Sequence, residues 1–158
     1  MNDLLACLTI AAALGSGLVA GFFFAFSFVI MKSLGRLAAE LGISAMQSIN
    51  VVVLNAWFFT AFFGTAAICL ILGGYALFNL DLPEAPCLLI GSALYLSGVI
   101  VVTMAANVPL NNRLAAASPR GDEGARTWTH YLSEWTRWNH VRTAAPLLAA
   151  LAFILALR

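Results

Sequence analysis

The nine residues WTRWNHVRT, 135–143, bring Trp135, Arg137, Trp138, Asn139, His140 and Arg142 to the mouth of a long apolar run. Each type has its own capacity. A histidine takes or returns a proton near neutral pH, a guanidinium holds an anionic oxygen, and asparagine and indole N–H groups add neutral donors. Together they suit a reaction in which a substrate loses a proton and the oxyanion so formed is held in a dry site. Two other segments carry similar groups. MQSINVVVLNAW sets Gln47, Asn50 and Trp57 on one helical face, with Asn55 pointing elsewhere. TMAANVPLNNR sets Thr103, Asn107 and Asn111 four apart, so they stack on one face, and Pro109 frees a backbone carbonyl there.

Helical phase restricts how these groups combine. At about 100° per residue, Trp128, Tyr131, Trp135, Trp138 and Arg142 form one stripe with Asn139 on its edge, and His140 lies nearly opposite Arg142. Either His140 faces a different helix contact, or the helix kinks nearby, as Pro146 would permit. A plainer reading stands beside the chemical one: tryptophan and tyrosine gather at membrane interfaces, arginine marks the cytoplasmic side, and buried amides tie helices together. The convergence of Asn50, Asn107, Asn111, Asn139 and Arg142 favours a pocket, beside the aromatics of GFFFAFSF and WFFTAFF. Other chemistry has little support. His130 and Glu134 make the only i, i+4 pair able to start a metal site, with no second pair, so no metal is expected. There is no CxxC, P-loop or Ser-His-Asp set.

The elements that position these groups follow from composition. The 158 residues are 62% hydrophobic and 9% charged, against about 25% charged in soluble domains. Such a chain in water would expose large apolar patches, so the bilayer is its expected solvent. A net charge of +1 and the lack of a basic stripe exclude nucleic acid as a partner. Cys7, Cys69 and Cys87 lie among apolar residues and read as small buried hydrophobes, although a Cys7–Cys87 disulfide would fit the topology.

A helix needs about 20 apolar residues to cross the hydrocarbon core. The uncharged runs Leu4–Met31, Val51–Leu80 and Pro86–Val108 suffice, and Thr143–Leu157 becomes long enough if its helix starts within WTRWNHVRT. The expectation is an all-α membrane protein: one four-span domain over 1–158, a four-helix transmembrane bundle with spans at about 4–31, 48–80, 86–108 and 136–157. The last helix extends on the cytoplasmic side, after a flexible loop at about 112–124. The start MNDLLACL has no basic residue and its apolar run is too long for a signal peptide, so it is expected to be a span. Lys32, Arg36, Arg113, Arg120, Arg126, Arg137 and Arg142 fall on one side and only Arg158 on the other, which puts both termini outside. Gly17 and Gly21 form a GxxxG pair suited to packing within the bundle or to a homo-oligomer, the former being preferred.

The order of these pieces resembles the anthrone-oxygenase-like family of small integral membrane proteins, many of them bacterial. The resemblance rests on GFFFAFSFVIMKSL, AMQSINVVVLNAWF, TMAANVPLNNRLA and WTRWNHVRT, with NVPLN and WxxWNxxR the most specific parts. It implies a protein of the bacterial inner membrane that oxidises an anthrone to an anthraquinone in polyketide pathways. Dioxygen is the co-substrate, and no flavin, haem or metal is obligatory. On the matching positions, Arg142 with Asn111 or Asn107 would be oxyanion donors, His140 the base, and Trp138 the residue holding the rings. Asn50, Trp57, Tyr131 and Asn139 complete the candidate contacts to a hydrophobic small molecule. The competing expectation is a non-catalytic membrane protein that binds or passes a small amphipathic molecule, or an accessory subunit.

Overall fold

In a computed structural model, which describes residues 2–158, the chain is all helical, with no strand among the described residues. Four helices are long and apolar enough to span a membrane: α1 (Asp3–Leu34), α3 (Ala56–Leu77), α4 (Ala85–Ala116) and α5 (Gly121–Ala156), with the shorter α2 (Ala39–Val52) between the first two. They pack as the expected four-helix bundle. α5 lies against α1 and α4 and carries residues of both apolar clusters of the core. The lower cluster joins all four spans through Phe23, Leu72, Tyr95 and Phe153. The upper one gathers Phe26, Met31, Ile43, Met46, Leu114, Trp128, Tyr131 and Trp135. Leucines such as Leu14, Leu70 and Leu148 face outward, as lipid requires.

The helix ends have legible causes. Asn2 caps α1 by accepting from the Leu5 N–H at 2.9 Å, ahead of Asp3 in the first turn. The second apolar run, read as one helix from 48, instead breaks at Val53–Asn55. Asn55 turns its amide nitrogen back to the Val52 carbonyl (2.9 Å) and its oxygen forward to the Phe58 N–H (3.1 Å), ending α2 and capping α3. An asparagine offering both a donor and an acceptor competes with the continuous helix and wins here.

The loop expected at 112–124 contracts to residues 117–120. Helix α4 persists to Ala116 because Leu114 is fully buried in the upper cluster and because Gln47 donates to the Leu114 and Ala117 carbonyls at 2.8 and 3.2 Å. Carbonyls at a helix end lack their usual partners four residues on; Leu114 also accepts from the Ala117 N–H at 3.2 Å. Pro109 causes no break, since it sits in the first turn of the α-helical segment that follows a π turn, where it withholds no needed N–H. Helix α5 opens at Gly121, whose φ of 87° suits glycine. It runs 36 residues through Pro146 without interruption. At 1.5 Å per residue it is about 54 Å long, well beyond the roughly 30 Å of hydrocarbon.

Four short π-helical segments interrupt the spans: Phe26–Ile30, Thr60–Gly64, Leu96–Val101 and Thr103–Asn107. The GxxxG pair is not used inside the bundle, since nothing lies within 4 Å of a Cβ placed at Gly17 or Gly21. The close approaches fall at Gly15 on Thr65, Gly91 on Phe153 and Gly98 on Ala145. The cysteines are free thiols, so Cys7 and Cys87 are not joined.

Candidate functional site

Because α5 is uninterrupted across residues 135–143, one of its faces runs unbroken along the inside of the bundle. Trp128, Tyr131, Trp135, Asn139 and Arg142 are all buried on it. The three rings stack along the helix, Trp128 on Tyr131 (centroids 5.8 Å, 13° between planes) and Tyr131 on Trp135 (5.9 Å, 23°). The Arg142 guanidinium carbon continues the series, 4.8 Å from the Trp135 ring and 4.3 Å from the Phe23 ring of α1. Both distances are within cation–π reach.

Amides fix this ladder to the neighbouring helices. Asn111 Oδ1 accepts from the Tyr131 hydroxyl and from Trp135 Nε1, each at 2.8 Å, and Asn50 lies beside the same hydroxyl. Asn107 donates to the Trp135 carbonyl at 3.2 Å. Asn139 donates to the Phe23 carbonyl and to Ser27 Oγ, both at 2.8 Å, and Arg142 Nη2 donates to its Oδ1 at 2.8 Å. Thr143 closes the ring, donating to the Asn139 carbonyl at 2.9 Å and meeting Ser27 Oγ at 3.0 Å.

Arg142 is only 4% exposed, yet no carboxylate faces it: the arginine–carboxylate pairs among the described residues are Arg120–Glu40 and Arg137–Glu134. Besides Asn139 it has a long contact from Nη1 to Thr103 Oγ1 at 3.4 Å, and its Nε has no acceptor. The fully buried Asn107 also keeps Oδ1 without a donor. A buried cation without an anion is costly, and this one is neutralised only by aromatic faces and amide oxygens. Such a cation has unused capacity for an anionic oxygen arriving with a ligand.

An apolar cavity of about 500 Å³ adjoins the ladder, between α1, α2 and the start of α3. Leu18, Phe22, Phe26, Ile49, Trp57 and Phe58 are among its walls. Phe26 belongs to both features, lining the cavity and packing on Trp135 at 5.7 Å between centroids.

The structure therefore brings together Asn50, Asn107, Asn111, Tyr131, Asn139 and Arg142 of the sequence-derived set. It leaves three apart. Trp57 is 88% exposed at the cavity rim. Trp138 is half-buried under the Arg137 guanidinium, 5.5 Å from its ring, because Asn139 takes the inward position beyond Trp135. His140 is exposed and packs on Phe28 at 5.4 Å, so the pairing of His140 with Arg142 does not form: the unbroken helix keeps them on different faces. Ser27 and Thr143 join the network without having been singled out for it. A hydroxyl in the apolar GFFFAFSF run was the available signal for Ser27; the Phe23 carbonyl gave none.

Among the described residues no group of three His, Cys, Asp or Glu side chains is placed to hold a metal ion, and Glu134 pairs with Arg137. No curated protein and no solved structure matches the chain. A family model described as anthrone oxygenase matches residues 57–152. The match takes in α3, α4 and most of α5, including Asn107, Asn111, Trp135, Asn139 and Arg142, and begins after Phe23, Ser27 and Asn50. Since it covers more than half of the sequence, the chain belongs to the anthrone oxygenase family.

Proposed function

We propose that this protein is a membrane-embedded oxygenase acting on an anthrone-like or other aromatic hydrophobic substrate with dioxygen, independent of flavin, haem or metal. Family membership supports the reaction class. The observation that carries the site is Arg142, a buried guanidinium with no carboxylate and an unused Nε, linked through the Trp135 and Phe26 rings to an aromatic-walled cavity. An anthrone offers a carbonyl oxygen and, across the central ring, an acidic CH2. Loss of one CH2 proton leaves an enolate whose negative charge rests on that oxygen. Arg142, with the Asn111 amide nitrogen that the ladder does not use, would hold it. The electron-rich carbon then adds dioxygen. One oxygen atom stays as the new carbonyl and the other leaves with both hydrogens as water, so CH2 + O2 gives C=O + H2O. Phe22, Phe26, Trp57 and Phe58 would seat the rings. Stabilising the conjugate base makes the proton easier to lose to solvent base, which gives His140 no required part.

The site is proposed to lie at the cytoplasmic end of the bundle, with both termini outside and the bacterial inner membrane as host, on the seven-to-one distribution of basic residues between the two sides. A second reading, a binding or passage protein for an amphipathic aromatic, draws on the cavity itself, which is walled mainly by apolar side chains.

The deciding experiment is oxygen uptake by the detergent-solubilised protein with a simple anthrone after chelation. Uptake above the spontaneous rate, lost in Arg142→Ala and kept in His140→Ala, supports the oxygenase and its site. Saturable anthrone binding with uptake no faster than spontaneous oxidation supports the binding reading and sinks the catalytic one.

A further inference from the structure

A second groove, of about 490 Å³, lies on the face of α5 next to the ladder, between the end of α1 and His140, with Ser27 of the Asn139 network at its floor. Its walls include Lys32, Arg36, Thr136 and His140 with the apolar Phe28 and Met31, and none of its lining residues is acidic. Lys32, in the last turn of α1, and Arg36, just past its end, are exposed, and neither has an ion-pair partner among the described residues. They stand where α1 leaves its uncharged stretch, at the depth where a bilayer changes from hydrocarbon to headgroup. Directly below, Phe24 and Phe28 form an exposed aromatic strip, 53% and 46% accessible with centroids 4.7 Å apart. The groove thus has a cationic head beside an apolar track running into the membrane.

We infer that this groove binds one anionic phospholipid, its phosphodiester between Lys32, Arg36 and the Thr136 hydroxyl and its acyl chains along Phe28 and Phe24. Charge complementarity selects the headgroup. No acid lines the groove and neither cation is ion-paired, so the positive charge there is open to an anionic headgroup. The aromatic strip favours a lipid over a soluble phosphate, because a free anion gains nothing from Phe24 and Phe28. His140 forms one wall through its ring contact with Phe28, a placement independent of any role in oxygen chemistry.

Native mass spectrometry of the full chain in detergent, titrated with phosphatidylglycerol or phosphatidylcholine of matched acyl chains, tests this. The expected result is a single tight phosphatidylglycerol adduct, preferred over phosphatidylcholine by tenfold or more. The preference falls about fivefold for each of Lys32→Ala and Arg36→Ala and is unchanged in Arg113→Ala with Arg126→Ala, two cations away from this groove. Equal binding of both lipids, or a preference that survives the Lys32→Ala/Arg36→Ala double variant, overturns the proposal. So does displacement of the lipid by equimolar inorganic phosphate, which would make this a free-anion site. Both residues are exposed, so the variants are expected to fold, and the thermal melt of each verifies that. Failure here leaves the oxygen-uptake result untouched, since no residue of the ladder is changed.

Discussion

The guanidinium carbon of Arg142 lies 4.3 Å from the centroid of the Phe23 ring, so a cation on the last span rests on an aromatic face of the first. The same phenylalanine offers its backbone carbonyl to Asn139, which in turn accepts from Arg142 Nη2. Ring, carbonyl, amide and guanidinium form a closed set of contacts between α1 and α5. Position and charge of Arg142 are therefore fixed together, which is what preorganised stabilisation of an oxyanion requires.

Arg142→Lys separates charge from geometry. Lysine keeps the cation but loses the planar face and cannot reach Asn139 and Thr103 with two nitrogens at once. The variant is expected to fold, to melt within a few degrees of the wild type, and to lose at least tenfold in kcat for oxygen uptake. Activity equal to wild type would reduce Arg142 to a simple charge.

Asn111→Ala removes the acceptor of the Trp135 indole N–H and one of the two amide partners of the Tyr131 hydroxyl, Asn50 being the other. A buried polar group left without a partner costs about 1–3 kcal/mol. In Tyr131→Phe the hydroxyl is absent from the start, so adding Asn111→Ala to it should cost less than adding it to wild type. A double-mutant cycle by thermal or denaturant unfolding reads this coupling, expected at about 0.5–3 kcal/mol; additive losses would show that the bond contributes nothing.

Gln47→Leu removes both hydrogen bonds that hold the end of α4, to the carbonyls of Leu114 and Ala117. The expected outcome is faster amide exchange and easier proteolysis in residues 115–120, with a stability loss of about 1–3 kcal/mol. Unchanged exchange there would mean that the burial of Leu114 alone stops the helix from fraying.

Gly42→Ala probes how closely α2 approaches α5. A Cβ at Gly42 would come within 2.6 Å of the Trp128 ring, the outermost member of the stack. Overpacking of this kind costs about 1–3 kcal/mol. The shift should pass along the rings and appear as a changed near-ultraviolet circular dichroism band. A variant with wild-type melting and an unchanged band would show that α2 gives way instead of the stack.

The spans were legible because the bilayer imposes length and apolarity on each helix; the short final run required a helix starting ahead of Thr143, and α5 starts at Gly121, before the polar cluster. The inward stripe of Trp128, Tyr131, Trp135 and Arg142 followed from the helical period alone. Trp138 did not follow, because a 60° offset from Trp135 decides its exposure only once Asn139 is seen to claim the inward place. The break at Asn55 was hidden in an unbroken apolar run, where one amide with two backbone partners outweighs the local pattern. Gln47 read only as sharing a helical face with Asn50 and Trp57, and it holds a helix end, since an amide's partners are set by what arrives across the bundle. Phe23 shows the limit most plainly: its part in the network is half ring and half carbonyl, and every residue has a carbonyl.

The π segments described above bear on how this chain can vary. A π turn closes bonds to the fifth residue instead of the fourth, so it holds one residue more than the helix around it needs. Between Gly98, which lets α5 come close, and Asn107, which holds the Trp135 carbonyl, α4 passes through two such turns. The surplus residue of each turn is absorbed where it stands, so the helix on either side keeps its phase. Removing one residue from such a turn would let it close as an ordinary α turn with Asn107 and Asn111 still facing α5, whereas removing one from an ordinary turn would swing them by about 100°. In this stretch a single deletion is expected to do less harm than the same deletion elsewhere in α4.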